Sequence, residues 1–239
     1  MSEPLRIALV AEGPTEREVI TAALGAILAP RSFVLTQVQP EATRPDMGTG
    51  WGGVLKWCHQ LAQRAQASGG RALEADPTLF SFDGVVLQLD ADVATHAYTD
   101  LRPPYDAIET AARGWQALPC AAPCPPAPPD QDALHAVLLS WVRPAHPGPR
   151  TVVCLPSMNT GAWQAAARLP EGHALLDALE CNVNIEAGLQ HLPKALKVDK
   201  SKRESRLRAA DAVRSHWPQV TARCSRAHRF EQDVRTAWT

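Results

Sequence analysis

The chain alternates short apolar segments with amphipathic ones, and this alternation constrains its fold more than any other feature. "RIALVA" (residues 6–11) is continuously apolar, as expected of a strand that is covered on both faces. After a turn, apolar residues recur at intervals of three and four, which predicts a helix; they are Val19, Ile20, Ala23, Leu24, Ile27 and Leu28. A strand-then-helix unit that repeats along the chain predicts an α/β fold with a mainly parallel sheet flanked by helices.

Further segments extend this pattern. The other predicted strands are "SFVLTQVQ" (32–39), "FDGVVLQLDAD" (82–92) and "RTVVCLP" (150–156). Helices are predicted from about Val54, over 104–117 and over 133–142. Between them, "PCAAPCPPAPPDQ" (119–131) predicts an exposed, extended loop, because proline lacks a backbone donor and restricts φ. We expect an α/β domain over residues 1–156 and a helical, basic C-terminal extension over 157–239 that packs on it.

Charge is distributed unevenly, although the formal net charge is only -1. Residues 194–239 contain twelve Lys and Arg against five Asp and Glu, a surplus of seven positive charges. The rest of the chain contains twelve basic and twenty acidic residues, a surplus of eight negative charges. The molecule as a whole is therefore not drawn to a polyanion or an anionic membrane, and the basic C-terminal segment is the part that could bind one.

Neither a membrane span nor a disulfide framework is predicted. The start, "MSEPLRIALV", lacks the basic region and long apolar core of a signal peptide, and no apolar run approaches the roughly 18 residues of a membrane span. Among the six cysteines, Cys120 and Cys124 form a CxxxC without a second pair at zinc spacing, so we interpret them as ordinary cysteines in a Pro-rich loop. A reducing cytoplasm is the expected location.

Acidic residues follow two of the predicted strands. Glu12 lies just beyond the first strand, and Asp90 and Asp92 end and follow the third. In an open parallel sheet, ligands bind at the carboxyl ends of the strands, and in an extended segment Asp90 and Asp92 point to the same side. If strands one and three are neighbours, these carboxylates converge with Glu16 on one edge. Mg²⁺ prefers hard oxygen ligands and would relieve their repulsion, in a geometry suited to metal-assisted phosphoryl transfer.

Each acid also has a simpler interpretation. Glu16 lies in a first helical turn, where the helix dipole favours a carboxylate, and Thr15 is a good N-cap candidate. Acidic loops after strands are common, so Asp90 and Asp92 alone are weak evidence. Two strand-end acids, one of them followed by Gly-Pro-Thr-Glu, are much less easily explained by chance, and helix capping accounts poorly for Glu12.

Two segments carry a resemblance to a known fold. "VAEGPTE" followed by "LQLDAD" resembles the two signature motifs of the TOPRIM fold, a glutamate that closes strand one and an Asp-x-Asp that closes strand three. Topoisomerases, DnaG-type primases and the nucleases of the OLD (overcoming lysogenization defect) family share this fold. The chain is similar to small stand-alone TOPRIM-like proteins of the DUF4276 type, also in "GTGWGGVLKW", in "LPS" with a downstream Trp, and in "CSRAHRFEQDVR". The similarity covers residues 1–95 well and is weaker beyond 150.

The resemblance implies a Rossmann-like TOPRIM domain and a Mg²⁺- or Mn²⁺-dependent nuclease that hydrolyses DNA or RNA with two ions, in anti-phage defence or mobile-element conflict. It implies that Glu12 is a general acid/base or metal ligand, that Asp90 and Asp92 bind the first ion, and that Glu16 serves the second. In one departure, "PSMNTGAWQ" has Asn159 and Thr160 where similar proteins often have an acid just before the tryptophan. This departure bears on the completeness of the second metal position.

The basic C-terminal segment supplies candidate phosphate contacts. A dense Lys/Arg segment is commonly just a solvated face, but beside an acidic centre that cuts a polyanion, cations must hold the phosphate backbone. We predict that Lys194, Lys197, Lys200 and Arg203 contact nucleic acid, with stabilisation of transition-state charge as an alternative role for Lys200.

Other candidate residues carry less weight. The clustered aromatic residues that stack on single strands are not evident, and Trp217 and Trp238 are predicted to anchor helices to the core. The eight histidines are scattered and are predicted not to be ligands; His96, four residues after Asp92, is the least secure case.

Two alternative functions remain at this point. "LQLDADVAT" approaches the DxDx(T/V) of haloacid-dehalogenase-like phosphatases, but Ala94 occupies the Thr/Val position, and Glu12 and Glu16 would have no role. A degenerate module that only binds nucleic acid or a partner protein is favoured by the missing acid near Trp163. No Walker A sequence is present, so an ATPase would have to be a separate partner chain. A regulatory partner and a homo-oligomer are further possibilities.

Overall fold

A computed structural model describes residues 3–121 and 124–239. Its strands are β1 Leu5–Val10, β2 Phe33–Gln39, β3 Gly84–Gln88 and β4 Thr151–Cys154. Its helices are α1 Pro14–Ile27, α2 Gly50–Gln66, α3 Ala107–Ala112, α4 Ala133–Val142, α5 Gly161–Arg168, α6 Ile185–Gln190, α7 Arg203–Ser215, α8 Trp217–Arg223 and α9 Ser225–Trp238. The predicted alternation of strands and helices is confirmed.

The four strands form one sheet in the order β2-β1-β3-β4, and every pairing is parallel. β1 occupies an interior position between β2 and β3, with Ile7 opposite Gly84 and Val10 opposite Leu87. The predicted α/β class with a mainly parallel sheet is therefore confirmed. Because β1 and β3 are neighbours, the segments that follow them start from the same edge of the sheet.

Helices cover both faces of the sheet, which explains why β1 is apolar at consecutive positions. Ile7 and Leu9 are fully buried in a cluster with side chains of α1, α5, α7, α8 and α9. Ala8 and Val10 are fully buried on the opposite face, in a cluster with side chains of α2 and α4. A strand that is buried on both faces gains from apolar residues at every position rather than at alternate ones.

Several element boundaries differ from the expected ones. α2 begins at Gly50 rather than near Val54, and the helix expected over 104–117 is reduced to the short α3, which Asp106 caps through the Glu109 N–H. β3 ends at Gln88, so Asp90 and Asp92 lie beyond the strand. The reason is a 3-10 turn over Ala91–Thr95, which interrupts the extended backbone.

The described part of the Pro-rich loop contains no α-helix or strand and has a 3-10 turn over Pro129–Gln131; residues 122 and 123 of this predicted loop lie outside the described residues. One prediction about it is wrong. Cys124 forms a disulfide with Cys181, although the two are 57 residues apart, because folding brings their Cα atoms to 5.5 Å. Such a long-range pairing leaves no mark in local cysteine spacing.

The C-terminal part is helical and its core is continuous with that of the sheet. α7 packs against α1 and α5, and α9 packs against β4 and α8. Trp217 and Trp238 are both buried, as predicted for anchoring residues, and the Trp238 indole packs closely over Gly84 in β3. None of the described helices combines the length and apolar character needed to cross a bilayer.

Candidate metal centre

Glu12 and Asp90 meet at the carboxyl edge of the sheet. Glu12 follows β1 and Asp90 follows β3, and the Glu12 Oε1 atom accepts a hydrogen bond of 2.8 Å from the Asp90 backbone N–H. Gln88, the last residue of β3, accepts a bond of 3.1 Å from the Glu12 N–H and donates one of 2.7 Å to Asp90 Oδ1. These three bonds hold the two carboxylates side by side, across 78 residues of sequence.

Asp90 and Asp92 do not extend from a straight strand, so the alternation argument for their common direction is wrong. Asp90 is the residue that precedes the 3-10 turn over Ala91–Thr95, and Asp92 lies inside that turn. The loop after β4 holds the turn in place, because the N–H groups of Ala91 and Asp92 donate to the carbonyls of Ser157 and Met158 at 3.2 Å each. Asp90 is buried, whereas Asp92 is partly exposed.

Glu16 does not behave as a simple helix cap. α1 begins after Gly13, with Pro14 at its first position, so the expectation that Thr15 is the N-cap is wrong. The Thr15 hydroxyl instead donates to Glu16 Oε1 at 2.8 Å, and no backbone N–H of the described residues donates to Glu16. The side chain of Glu16 is buried, and it folds back so closely that a Cβ on Gly13 would lie 2.8 Å from its Oε2 atom. A buried carboxylate with one hydroxyl partner is poorly satisfied as a cap.

A fifth carboxylate, Glu186, is one that the sequence motifs do not indicate. It lies in the first turn of α6 and forms an ion pair with Lys200. Its side chain packs over the start of α5, since a Cβ on Gly161 would lie 2.7 Å from Glu186 Cγ and 2.8 Å from Asn159 Oδ1. Glu186 thus lies beside Asn159, although the two residues are 27 positions apart in the sequence.

The acids lie close enough together to shift one another's pKa values. Burial, and then the charges of Asp92 and Glu16, raise the pKa of Glu12 from 4.5 to about 8, although the N–H groups of Asp90 and Trp51 oppose the shift. Burial raises the pKa of Asp90 well above its usual value, and the charges of the other acids, Glu12, Glu16, Asp92 and Glu186, add to the effect. Burial and Glu186 also raise the pKa of Asp92, which His96 and Lys200 partly offset. Full ionisation of the cluster would therefore place more negative charge there than its surroundings neutralise, and the acids bind protons in the absence of a cation.

The predicted basic contacts divide into two groups. Lys200 lies at the margin of the acidic cluster, where it pairs with Glu186, and its backbone carbonyl accepts a bond of 2.7 Å from Arg206. Lys194, Lys197 and Arg203 belong to the same part of the chain, but none has a hydrogen bond or ion pair with the acids in the described ranges. Lys194 and Arg203 are exposed and Lys197 is partly buried.

Aromatic side chains cluster beside the acids, outside the basic C-terminal segment. Trp51 is in the first turn of α2, and its neighbour Gly50 donates a backbone bond of 2.7 Å to the Glu12 carbonyl. The Trp51 ring stacks with that of His96, with centroids 5.8 Å apart. These residues are 45 positions apart in sequence, which is why their proximity is visible only in the fold.

The chemistry of the acids fits a hard divalent cation, although they are not gathered around one. In the described part of the chain, no group of three or more His, Cys, Asp or Glu side chains is arranged to hold a metal ion. The donor set nevertheless consists of carboxylate oxygens, the ligands that Mg²⁺ and Mn²⁺ prefer. Glu12 and Asp90 each have one oxygen engaged in a hydrogen bond within the cluster and a second oxygen outside those bonds. Mutual repulsion disfavours close approach of unneutralised carboxylates, and a cation would draw them inward.

Comparisons with known proteins assign no chemistry to this edge of the sheet, so the assignment rests on the geometry. No protein-family model matches the chain, and no curated protein and no solved structure is significantly similar to it.

Proposed function

We propose that the protein is a Mg²⁺- or Mn²⁺-dependent phosphodiester hydrolase of the TOPRIM type that acts on nucleic acid, with the acidic cluster as its active site. The observation that carries the proposal is the burial of Glu16 and Asp90 beside the half-buried Glu12, with Lys200, which pairs with Glu186, at the margin of the cluster. Burial of several carboxylates without compensating charge is costly, and chains retain such clusters at functional sites.

The four acids named from the sequence would hold the cation or cations. Asp90 and Asp92, on one short turn, would be ligands together with Glu12, and Glu16 would hold a second ion or its waters. A bound divalent ion would polarise the phosphoryl group and lower the pKa of a coordinated water. Glu186 lies over the start of α5 beside Asn159, so it would complete the acidic side of the cluster where the motif lacks an acid.

The chain's own residues would perform the remaining steps. As an alternative to binding the ion, Glu12 would act as the general acid/base that accepts and returns a proton. Lys200 presents its ammonium group beside Asp92 and Glu186, where it would attract a phosphate that the acids repel and would stabilise negative charge in the transition state. Lys194, Lys197 and Arg203 would contact the backbone farther from the cleaved bond.

The alternatives are less well supported by the same geometry. A haloacid-dehalogenase-like phosphatase would use Asp90 as a nucleophile, but it leaves Glu12, Glu16 and Glu186 without a role. The degenerate module rested on the missing acid before Trp163, and the position of Glu186 weakens that argument. A role in anti-phage defence and a separate ATPase or regulatory partner belong to this proposal as extensions of the resemblance. Location in the cytoplasm is proposed from cysteine usage, and the Cys124–Cys181 disulfide weakens that argument.

The proposal is tested by cleavage assays with two isosteric variants. Single- and double-stranded DNA, transfer RNA and plasmid are incubated with the full chain, with and without Mn²⁺. We expect Mn²⁺-dependent cleavage of at least one substrate by the wild type, and a loss of about 10²-fold or more in Glu12→Gln and Asp90→Asn, because each removes a ligand charge without changing volume.

Matched controls are Glu171→Gln and Asp211→Asn, two exposed acids outside the cluster, which should cleave at the wild-type rate. Undiminished cleavage in both Glu12→Gln and Asp90→Asn would contradict the assignment. Hydrolysis of nitrophenyl phosphate without cleavage of any nucleic acid would favour the phosphatase alternative instead.

A further inference from the structure

A row of aromatic rings leads from the core to the surface beside the acidic cluster. Trp141 of α4 is fully buried, and the Trp51 ring lies near it with centroids 6.3 Å apart and planes inclined by 26°. His96 continues the row, 5.8 Å from Trp51 and inclined by 28°. Three near-parallel rings thus stand in sequence, from a buried indole to a surface imidazole.

The inner part of this row is rigidly held. The Trp141 indole donates a hydrogen bond of 2.9 Å to the Tyr98 hydroxyl, which in turn donates one of 2.7 Å to the Gln116 carbonyl. Tyr98 also packs on Trp51 at 6.3 Å with planes inclined by 59°. Trp51 is therefore supported by two rings that are themselves fixed, and its position does not depend on a ligand.

The outer end of the row is open. The His96 side chain is 45% exposed, and its Nδ1 atom lies 3.4 Å from Asp100 Oδ2, which also accepts a bond from the Ala97 N–H. An imidazole that only filled space in the core would be covered, as Trp141 is. Here the planar ring is held by a partner at one edge while nearly half of its side chain surface faces solvent.

This open end adjoins the acids. His96 directly follows the turn Ala91–Thr95 that carries Asp92. At the start of α2, the backbone N–H of Gly50 donates to the carbonyl of Glu12. This bond places the next residue, Trp51, beside the acidic cluster. Rings and carboxylates therefore share one surface of the molecule.

We propose that the His96 ring, supported from behind by Trp51, forms a stacking platform for a nucleobase next to the cleaved phosphodiester, and that the substrate is a single-stranded nucleic acid. The inference rests on the proposed function for its choice of a phosphodiester. In a duplex the base faces are already stacked on one another, whereas an unpaired base offers a face to an exposed ring. Stacking supplies affinity that does not depend on charge. It would therefore offset the repulsion between the nucleic acid and the acidic part of the molecule.

The test separates bases from phosphates. Binding of an oligothymidylate is compared with binding of an abasic strand of the same length and charge, in Ca²⁺, with intrinsic tryptophan fluorescence as a second signal. We expect the wild type to bind the base-bearing strand about ten-fold more tightly and its tryptophan emission to be quenched only by that strand.

His96→Ala should lose most of this preference and leave the affinity for the abasic strand unchanged, whereas His96→Phe should retain it. His228→Ala, which removes an exposed histidine of α9, is the matched control and should behave as the wild type. Each variant should remain folded, because His96 is partly exposed and His228 is exposed, and thermal melts check this.

Equal affinity of the wild type for the two strands would overturn the proposal, as would weaker binding of both strands in His96→Ala. Failure of the proposed hydrolysis is distinguishable: a preference for bases that depends on His96, without cleavage in Mn²⁺, would uphold the platform and refute the nuclease. Cleavage without any preference for bases would do the reverse.

Discussion

Individual carboxylates carry the functional argument, and Glu12 illustrates why. Its position directly after a buried strand predicts a role other than capping, and the structure adds a hydrogen bond from the Asp90 N–H and electrostatic interaction with Asp92 and Glu16. Glu16 is ambiguous between cap and ligand in the sequence. In the structure it is buried beside Glu12 and Asp90 and accepts only the Thr15 hydroxyl among the described residues, which favours the ligand interpretation.

The raised pKa of Glu12 has a consequence for stability. In the folded, metal-free protein Glu12 keeps its proton up to about pH 8, whereas the unfolded chain loses it near 4.5. Between these values the folded state binds more protons, so the free energy of unfolding falls as pH rises. We expect the unfolding temperature of the metal-free protein to fall by several degrees between pH 5 and pH 8, given about 2–4 °C for each kcal/mol in a chain of this size.

Thermal melts in a chelator at a series of pH values check this expectation. Glu12→Gln cannot ionise at this position, so its melting temperature should decline less than that of the wild type, while Glu171→Gln should follow the wild type. A wild-type melting temperature that rises from pH 5 to pH 8 would show that the acids are not repelling one another in the folded state.

At the scale of elements, the sequence predicted what depends on local pattern. The continuous apolar runs identified β1, β3 and β4, and the parallel sheet follows from their alternation with helices. The direction of Asp90 and Asp92 was not predictable in the same way, because the turn over Ala91–Thr95 is fixed by backbone bonds to the loop after β4. The sequence did not predict the position of Glu186 or the Trp51–His96 stack for a related reason, because both depend on contacts between elements that are distant in sequence.

Arg206 of α7 contacts the segment that carries Lys200. Arg206 bridges Glu18 of α1 at 3.0 Å and donates to the Lys200 carbonyl at 2.7 Å, so it holds the segment that presents Lys200. Both side chains of the pair are about four-fifths buried, at 21% and 19% exposure. We infer that Arg206 positions Lys200 and does not itself contact substrate.

Arg206→Met should destabilise the fold by about 1–3 kcal/mol, since it leaves Glu18 partly buried without its partner. It should also weaken binding of a single strand in Ca²⁺. Lys200→Ala should then weaken binding less in the Arg206→Met protein than in the wild type, because both changes act on the same ammonium group. A double-mutant cycle over Arg206 and Lys200 measures this coupling.

Arg208→Met is the matched control on the same helix. Arg208 pairs with Glu204, but the two side chains are 60% and 85% exposed, so its loss should cost no more than about 0.5 kcal/mol. Additive effects of the Arg206 and Lys200 substitutions on strand binding would contradict a positioning role.

At the scale of the whole molecule, the structure shows that many cations of the basic C-terminal segment are already paired with acids of the chain. Seven of its twelve cations form ion pairs, four of them with acids inside the segment and three with Glu18, Asp132 and Glu186 elsewhere in the chain. The pair between Arg226 and Asp132 is almost fully buried and joins α9 to the start of α4. Three cations of the segment thus pair with acids elsewhere in the chain, and fewer cations than the composition implies are free to face a nucleic acid.

The acidic edge of the sheet is the other feature of the whole molecule that requires an explanation. Five carboxylates from segments spread between Glu12 and Glu186 converge there, and Lys200 is a cation that faces them. A bound divalent cation would explain this convergence, because it neutralises carboxylates that otherwise repel one another. Metal binding precedes any reaction, so it can be tested without knowledge of the substrate.

The most direct test is calorimetric titration of the metal-free protein with Mn²⁺ at pH 7.5, for the wild type and for Asp90→Asn. We predict saturable binding by the wild type, with a rise in melting temperature that corresponds to about 2.7 kcal/mol at a free Mn²⁺ concentration about one hundred times Kd. Asp90→Asn should bind at least ten-fold more weakly and remain folded. The absence of binding by the wild type up to millimolar Mn²⁺, or equal binding by wild type and Asp90→Asn, would contradict a metal centre at this edge of the sheet.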